Sequence, residues 1–304
     1  MGGYVLGIGV SVVDIIGRVY GFPEPDSYSL LLDYDRQVGG TVSNALVALS
    51  RLGIKTRWLG KVGDDEFGRI ILEDMRREGV ELEVDIDGEN PSPLSIIIVD
   101  SQTGARSICY RPGCSFAYGN DFPAAALENA DILHLDGFFL DAAAQAARQC
   151  RSVGVKVSLD AENSSPELLE LIKDVDILIP NLGVARAIAG EYDVEDCLKK
   201  LSELGPGTVV ITGGSEGSWG YEGGRFTRVE ALRVDAVDTT GCGDAYHGGF
   251  LFGELKGWDL ESRMLFASAY SALKATRLGG RLGLPDREEM REFLREKKLD
   301  LSVD

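Results

Sequence analysis

The stretch Val237-Asp238-Thr239-Thr240-Gly241-Cys242-Gly243-Asp244 gathers residue types that can manage a moving anion. Gly241 and Gly243 permit a tight turn, and the helix-forming AYHGGFLFGEL that follows aims unpaired N–H groups and a positive dipole end at it. Beside such an anion hole, Asp244 can take the proton of an attacking hydroxyl while the N–H groups hold charge building on a phosphoryl group. An aspartate in a first helical turn is also an ordinary dipole-stabilised cap, so the spacing alone leaves both readings open.

Two other glycine stretches have related grammar. Gly39-Gly40-Thr41-Val42-Ser43-Asn44 leads into the amphipathic ALVALSRLG, so backbone can approach a ligand closely while Asn44 stands one turn into the helix. Thr212-Gly213-Gly214-Ser215-Glu216-Gly217 follows an apolar run and forms either a phosphate-holding nest or a plain turn. Gly7-Ile8-Gly9 is not a dinucleotide fingerprint, because position 12 is Val12, and Gly60-Lys61 is not a P-loop, because Val62 follows. The two histidines, His134 and His247, lack a metal-like partner set and read as packing residues, although His247 lies three residues after Asp244.

Positioning these groups requires a sheet. Short apolar runs at 131–136, 155–160, 175–180 and 207–212 alternate with helix-patterned segments, which predicts a mostly parallel sheet covered by helices on both faces, a three-layer α/β/α sandwich. Asp136, Asp160, Asn181 and Thr212 fall at the carboxyl ends of these runs, where a ligand crevice forms; helix capping is their other use. Residues 15–38 and 92–118 break the alternation and read as one small β-sheet inserted into a single 1–304 domain as a lid, with Thr103-Gly104 at a hairpin tip. Helices are predicted over 243–255, 259–277 and 286–296.

The 304 residues carry a formal charge of -18, which repels nucleic acid and anionic membrane surfaces. Five cysteines without a CxxC pair fit a reducing compartment, and no apolar run approaches the roughly 18 residues of a spanning helix. The expectation is a cytoplasmic protein with neither nucleic-acid nor membrane partners.

Together, GGTVSNALVALSRLG, WLGKVGDDEFG at 58–68, ITGGSEGS, DTTGCGDAYHGGF at 238–250 and GLP at 283–285 resemble the ribokinase-like (PfkB-type) carbohydrate kinases, in order and separation, from about residue 4 to 290. The resemblance implies ATP and Mg²⁺, with transfer of the γ-phosphoryl group to a sugar-like substrate. It implies that Asp244 is the base and Gly241, Cys242 and Gly243 the anion hole, with Cys242 where alanine is more usual. It further implies that Asp14, Gly39, Gly40 and Asn44 contact substrate hydroxyls, and that Asn181, Thr212, Gly214 and Gly217 surround the nucleotide. Asp238 and Thr240 match a pair that helps bind potassium in several members.

The chain departs from the pattern at Val184, where a glutamate usually orders water around Mg²⁺; Asp160 or Glu162 stands in on this reading. Thr41 occupies a place where kinases of sugar phosphates, and ribokinases, often carry lysine, which points to a free sugar or sugar acid. Arg106 and Arg111 on the lid are the candidates for an anionic substrate group. The alternatives are a nucleoside kinase of the same family, using Phe22, Tyr110 or Phe116 to stack a base, and a catalytically silent sugar-binding regulator. Pairing of the apolar lid strands predicts a homodimer.

Overall fold

The structure, a computed structural model, describes residues 3–103, 105–114 and 122–304. Gly104 at the expected hairpin tip, Phe116, and the stretch of the expected lid from 115 onward lie outside these. The first half of the chain runs through β1 (Tyr4–Ile8), β2 (Val12–Val19), β3 (Leu31–Gly39), α1 (Thr41–Arg51), β4 (Thr56–Gly63), α2 (Glu66–Arg77), β5 (Glu81–Asp87), β6 (Leu94–Asp100) and β7 (Arg106–Arg111). The second half continues through β8 (Ala130–Leu135), α3 (Leu140–Val153), β9 (Lys156–Leu159), α4 (Pro166–Ile172), β10 (Ile177–Leu178), α5 (Leu182–Ala189) and α6 (Val194–Glu203). It closes with β11 (Thr208–Thr212), β12 (Ser218–Glu222), β13 (Arg225–Val229), α7 (Cys242–Leu255), α8 (Leu260–Ala275) and α9 (Arg287–Glu296).

A nine-stranded sheet takes the order β13-β12-β11-β10-β9-β8-β1-β4-β5, and a four-stranded sheet the order β3-β2-β6-β7. The large sheet is parallel from β11 to β5, with β12 and β13 added antiparallel at one edge. Its central strands are largely apolar because each face meets helices, whereas the edge strands β5 and β13 carry charged residues. Val5, Ile132, Ile177 and Val210 join one core with residues of α1, α2, α7 and α8, whereas Leu6, Leu133, Leu178 and Val209 join the other with residues of α3, α4 and α6. Adjacent residues enter opposite cores, as the two-residue period of a strand demands.

The strand expected over 175–180 is only two residues long. Asp176 turns its carboxylate to the N–H of Val157 at 2.8 Å, and Pro180 has no N–H to extend the ladder. Asn181 then re-joins the sheet through an isolated bridge to Thr212.

Strand order reverses between β1 and β8, which opens a crevice at their carboxyl ends. β1 passes through only Gly9-Val10-Ser11 into β2, so the small sheet grows directly from this switch point. Its far side is tied at Asp65, the N-cap of α2, whose carboxylate accepts the N–H of Gly68 at 2.8 Å and both the N–H and hydroxyl of Ser92 at 2.9 and 2.7 Å. Among the described residues no helix is long and apolar enough to cross a membrane.

Candidate active site

Gly241 caps α7 in the left-handed region at φ 75°, and a Cβ there would stand 2.9 Å from the Cα of Gly280. Conformation and closeness both require glycine. The N–H of Cys242 bonds the carbonyl of Thr239 at 3.2 Å, while above Gly243 a Cβ would meet open space. The first turn of α7 therefore borders open space at Gly243. Cys242 turns its thiol toward the carbonyl of Ser271, 3.8 Å away, so it offers backbone and not sulfur to the turn.

Asp244 stands at this turn. Burial pushes its carboxyl up to about 7, although Asn44 Nδ2 donates to its Oδ2 at 2.7 Å and opposes the shift. Glu162 is raised to about 7, first by burial and then by Asp160 and Asp244. Nε2 of His247 lies 3.3 Å from Oδ1 of Asp160. Burial works against its charge, but Asp160, Asp244 and Glu162 outweigh it and hold the imidazole above the ordinary histidine range. His247 is therefore more than the packing residue expected from sequence. Its neighbour His134, tilted 39° to it with ring centroids 5.3 Å apart, is pushed by burial down to about 3 and packs as a neutral ring.

The small sheet presents one face to this turn. In register, Gln37, Asp14, Ser95 and Tyr110 form a row across β3, β2, β6 and β7. Burial raises Asp14 to about 6 against a hydrogen bond from Ser95 and the charge of Arg281. A Cβ on Gly39 would stand 2.3 Å from Asp14 Oδ2, so glycine makes room for the carboxylate, and Gly40, at φ 110°, opens α1. Gln37 is 7% exposed, and its Oε1 has no partner among the described residues. This row of acceptors and donors can read hydroxyl groups.

Arg106 and Arg111 do not share a face. An odd separation along a strand sends side chains to opposite sides. Arg106 falls on the face of Asp14 and Tyr110 and donates to Thr240 Oγ1 at 2.8 Å, spanning from the small sheet to the anion turn. Arg111 falls on the other face and donates to the carbonyl of Ser92 at 2.9 Å. The expectation that both meet substrate is corrected accordingly: Arg111 braces the joint beside Asp65.

At the opposite wall, Asp136 accepts the N–H of Val10 at 2.9 Å, the N–H of Phe138 at 3.0 Å and the hydroxyl of Thr41 at 2.9 Å. Burial raises it to about 6 in spite of them. Phe138 meets Tyr110 edge-on with ring centroids 6.2 Å apart.

Beyond the anion turn lies a cleft of ≈ 1330 Å³ that reaches Thr212, Gly214, Gly217, Thr239, Cys242 and Gly243. Its walls include the apolar Leu232, Val234, Ala272 and Ala275 and the cations Arg228 and Arg233. Asn181 sits behind it, accepting the N–H of Val184 at 3.0 Å as the cap of α5, while Val184 itself packs against the core. The turn of α7 thus separates two spaces, a polar pocket under the small sheet and a larger cleft along β11 and α8.

Asp238 and Thr240 do not fit a potassium ion. Asp238 Oδ1 accepts the N–H of Thr240 at 2.8 Å, Oδ2 accepts that of Gly279 at 2.9 Å, and the carbonyl accepts Lys274 Nζ at 2.8 Å. Thr240 Oγ1 is taken by Arg106. Among the described residues no group of three or more histidine, cysteine or acidic side chains is closed enough to hold a metal ion.

Sequence reasoning missed Gln37, Ser95, Lys274 and Arg281. Lys274 carried a signal, since it lies on the stripe of Ala267 and Tyr270, which are buried at helical spacing. Arg281, in the loop Gly279-Gly280-Arg281, belongs to no periodic pattern and carried none.

Comparison with known proteins agrees with this geometry. Residues 3–287 match the description "pfkB family carbohydrate kinase". An uncharacterized sugar kinase of Archaeoglobus fulgidus is 34% identical over 79% of this chain and 98% of its own. The 2-dehydro-3-deoxygluconokinase of Thermoproteus tenax is 29% identical over 86% of each. The crystal structure of ribokinase from Thermotoga maritima superposes with a TM-score of 0.84 at 25% identity, covering 96% of this chain and 99% of that one. With its anion turn, its buried carboxylate and its small second sheet, the chain belongs to the pfkB family of carbohydrate kinases.

Proposed function

We propose that this kinase transfers the γ-phosphoryl group of ATP to a hydroxyl of a free sugar or sugar acid, with Asp244 as the base and the 241–243 turn as the anion hole. The observation that carries the reading is the position of Asp244, between the pocket row Gln37–Asp14–Ser95 and the cleft of ≈ 1330 Å³. A carboxylate raised to about 7 is matched to proton transfer near neutrality. The N–H groups beside it are fixed where charge develops on the phosphoryl oxygens.

A free sugar fits the pocket better than a sugar phosphate, because Thr41 and Asp136 place a hydroxyl and a carboxyl where a cation would be needed. Arg106, on the pocket face of the small sheet, is the cation for the carboxylate of a sugar acid. ATP fits the larger cleft, with Thr212, Gly214 and Gly217 at its phosphates, Asn181 behind them, and Leu232, Val234, Ala272 and Ala275 around the base. The residues near the turn suit a divalent ion carried in by the nucleotide. Glu162 and Asp244 are both raised to about 7, first by burial and then by neighbouring carboxylates, Asp160 and Asp244 acting on Glu162 and Asp160 on Asp244, a negative potential that Mg²⁺ would relieve. Asp160 and Glu162 would hold its water shell in place of a glutamate at Val184, and the ion would neutralise phosphate charge.

On this reading the small sheet is a lid on a single domain, and the reaction is cytoplasmic. The face of the lid away from the pocket exposes Tyr34 and Ile96, the apolar surface for a homodimer. The Tyr110–Phe138 pair supports a second reading, a nucleoside acceptor whose base stacks on these rings. The test is ADP release with ATP and Mg²⁺ across ketohexoses, aldopentoses, sugar acids, sugar phosphates and nucleosides, with Asp244→Asn as the blank. Turnover restricted to free sugars or sugar acids supports the leading reading; turnover on nucleosides alone replaces it with the second.

A further inference from the structure

Lys274 is 0% exposed, yet among the described residues no carboxylate accepts a hydrogen bond from it. Its Nζ donates instead to the carbonyl of Asp238, at the base of the loop that climbs to the anion turn. That loop is stitched to the end of α8, with the N–H groups of Val237 and Asp238 both on the carbonyl of Ala275, at 2.8 and 3.1 Å. Opposite, Gly283 leaves room for the lysine stem, since a Cβ there would stand 3.1 Å from Lys274 Cε. An ammonium buried in this way is a compact, monovalent, oxygen-seeking charge fixed by covalent bonds behind the turn.

We propose that Lys274 is a positioning residue that serves as the built-in monovalent cation of the transfer site. Its ammonium holds the 238–241 loop through the Asp238 carbonyl and sets positive charge behind Gly241–Asp244, so that neither stability nor phosphoryl transfer requires an added alkali ion. This rests on the reading of the 241–244 turn as the transfer site. The occupied oxygens of Asp238 and Thr240 belong to the same arrangement, because an ion would have to displace the Thr240 and Gly279 N–H groups as well as the lysine. Burial draws the lysine below its ordinary pKa range, while Cys242, Asp238 and Asp244 oppose this and Arg106 adds to it.

The experiment compares potassium, sodium and tetramethylammonium chloride at equal ionic strength, for the wild type and for Lys274→Met, which keeps bulk and removes charge. A specifically bound cation raises the melting temperature by mass action, and this readout needs no turnover. The expected result is a wild-type melting temperature that stays within about 1 °C across the three salts. Wild-type kcat should stay within about twofold, and Lys274→Met should lose kcat by about 10²-fold in every salt, as the loss of one fixed charge at a transition state does. A wild type that is stabilised or activated by potassium over tetramethylammonium overturns the proposal, as does a folded Lys274→Met with wild-type kcat. If no sugar is turned over, the melting series still decides the cation question, so failure of the kinase reading remains distinguishable.

Discussion

Arg281 Nε donates to Asn44 Oδ1 at 3.1 Å, and this contact decides which way Asn44 faces. A guanidinium has only donors, so the asparagine must present its oxygen to Arg281 and its NH₂ to Asp244, 2.7 Å away. Arg281 is 2% exposed and is itself held by Asp74 and by Ser43 Oγ. A loop arginine thereby sets the hydrogen bond that opposes the raised proton affinity of the buried Asp244.

Replacing Arg281 by Met should lower kcat by about 10-fold to 10²-fold, the usual scale for one preorganised hydrogen bond near a transition state. It should also destabilise, by about 1–3 kcal/mol, because Asp74 loses its buried partner and keeps only the exposed Arg77. Asn44→Leu separates the two effects: kcat falls while the Arg281–Asp74 pair stays. Urea melts beside steady-state rates check both, and an Arg281→Met enzyme with unchanged kcat refutes the account of Asn44.

The acidic limb of kcat/KM should have its midpoint near the value of about 7 held by Asp244, with activity lost as pH falls and the carboxylate takes a proton. The sign for stability is opposite. A carboxyl raised by folding binds its proton more tightly in the folded state, so its contribution is present at acid pH and lost as pH rises through about 7. Asp244→Asn should therefore be inactive and gain about 3 °C in melting temperature at alkaline pH, with a smaller gain at pH values well below 7.

His247 lowers the proton affinity of both Asp244 and Glu162. His247→Gln removes that charge and should move the acidic limb upward by about half a unit to one unit, slowing the enzyme at neutral pH while leaving the alkaline plateau in place. Rates measured across the limb check this, and a plateau lowered with no shift of midpoint would mean that the residue only packs.

Thr41→Lys should change selectivity. The hydroxyl of Thr41 bonds Asp136, so a lysine there finds a carboxylate partner and adds a cation to the sugar pocket. The ratio of kcat/KM for a sugar phosphate over its free sugar should rise by about tenfold, the worth of one charge-assisted contact. Competition between the two substrates in one reaction measures it directly.

Most of the frame was legible because its determinants are local. The apolar runs ending at Asp136, Asp160 and Thr212 specify strands, and Gly241 and Gly40 mark helix starts by conformational need. The pocket was legible only where a motif touched it. Ser95 and Gln37 became part of the row with Asp14 through the register of four strands that are remote in sequence, and no local pattern encodes that register. The parity of Arg106 and Arg111 was readable from their separation of five positions, and considering both as substrate contacts overlooked it. Arg281 needed the whole fold, because its partners Ser43, Asn44 and Asp74 lie more than two hundred residues away.

The hydrogen bond from Arg106 to Thr240 joins the roof of one space to the floor of the other. Thermodynamic reciprocity then applies: a ligand at the turn that changes the free energy of the Arg106–Thr240 contact changes affinity in the pocket under the small sheet, and a ligand in that pocket changes affinity at the turn by the same factor. The two ligands need share no contact for each to act as the other's effector, and the strength of that coupling becomes a property of one arginine rather than of either pocket.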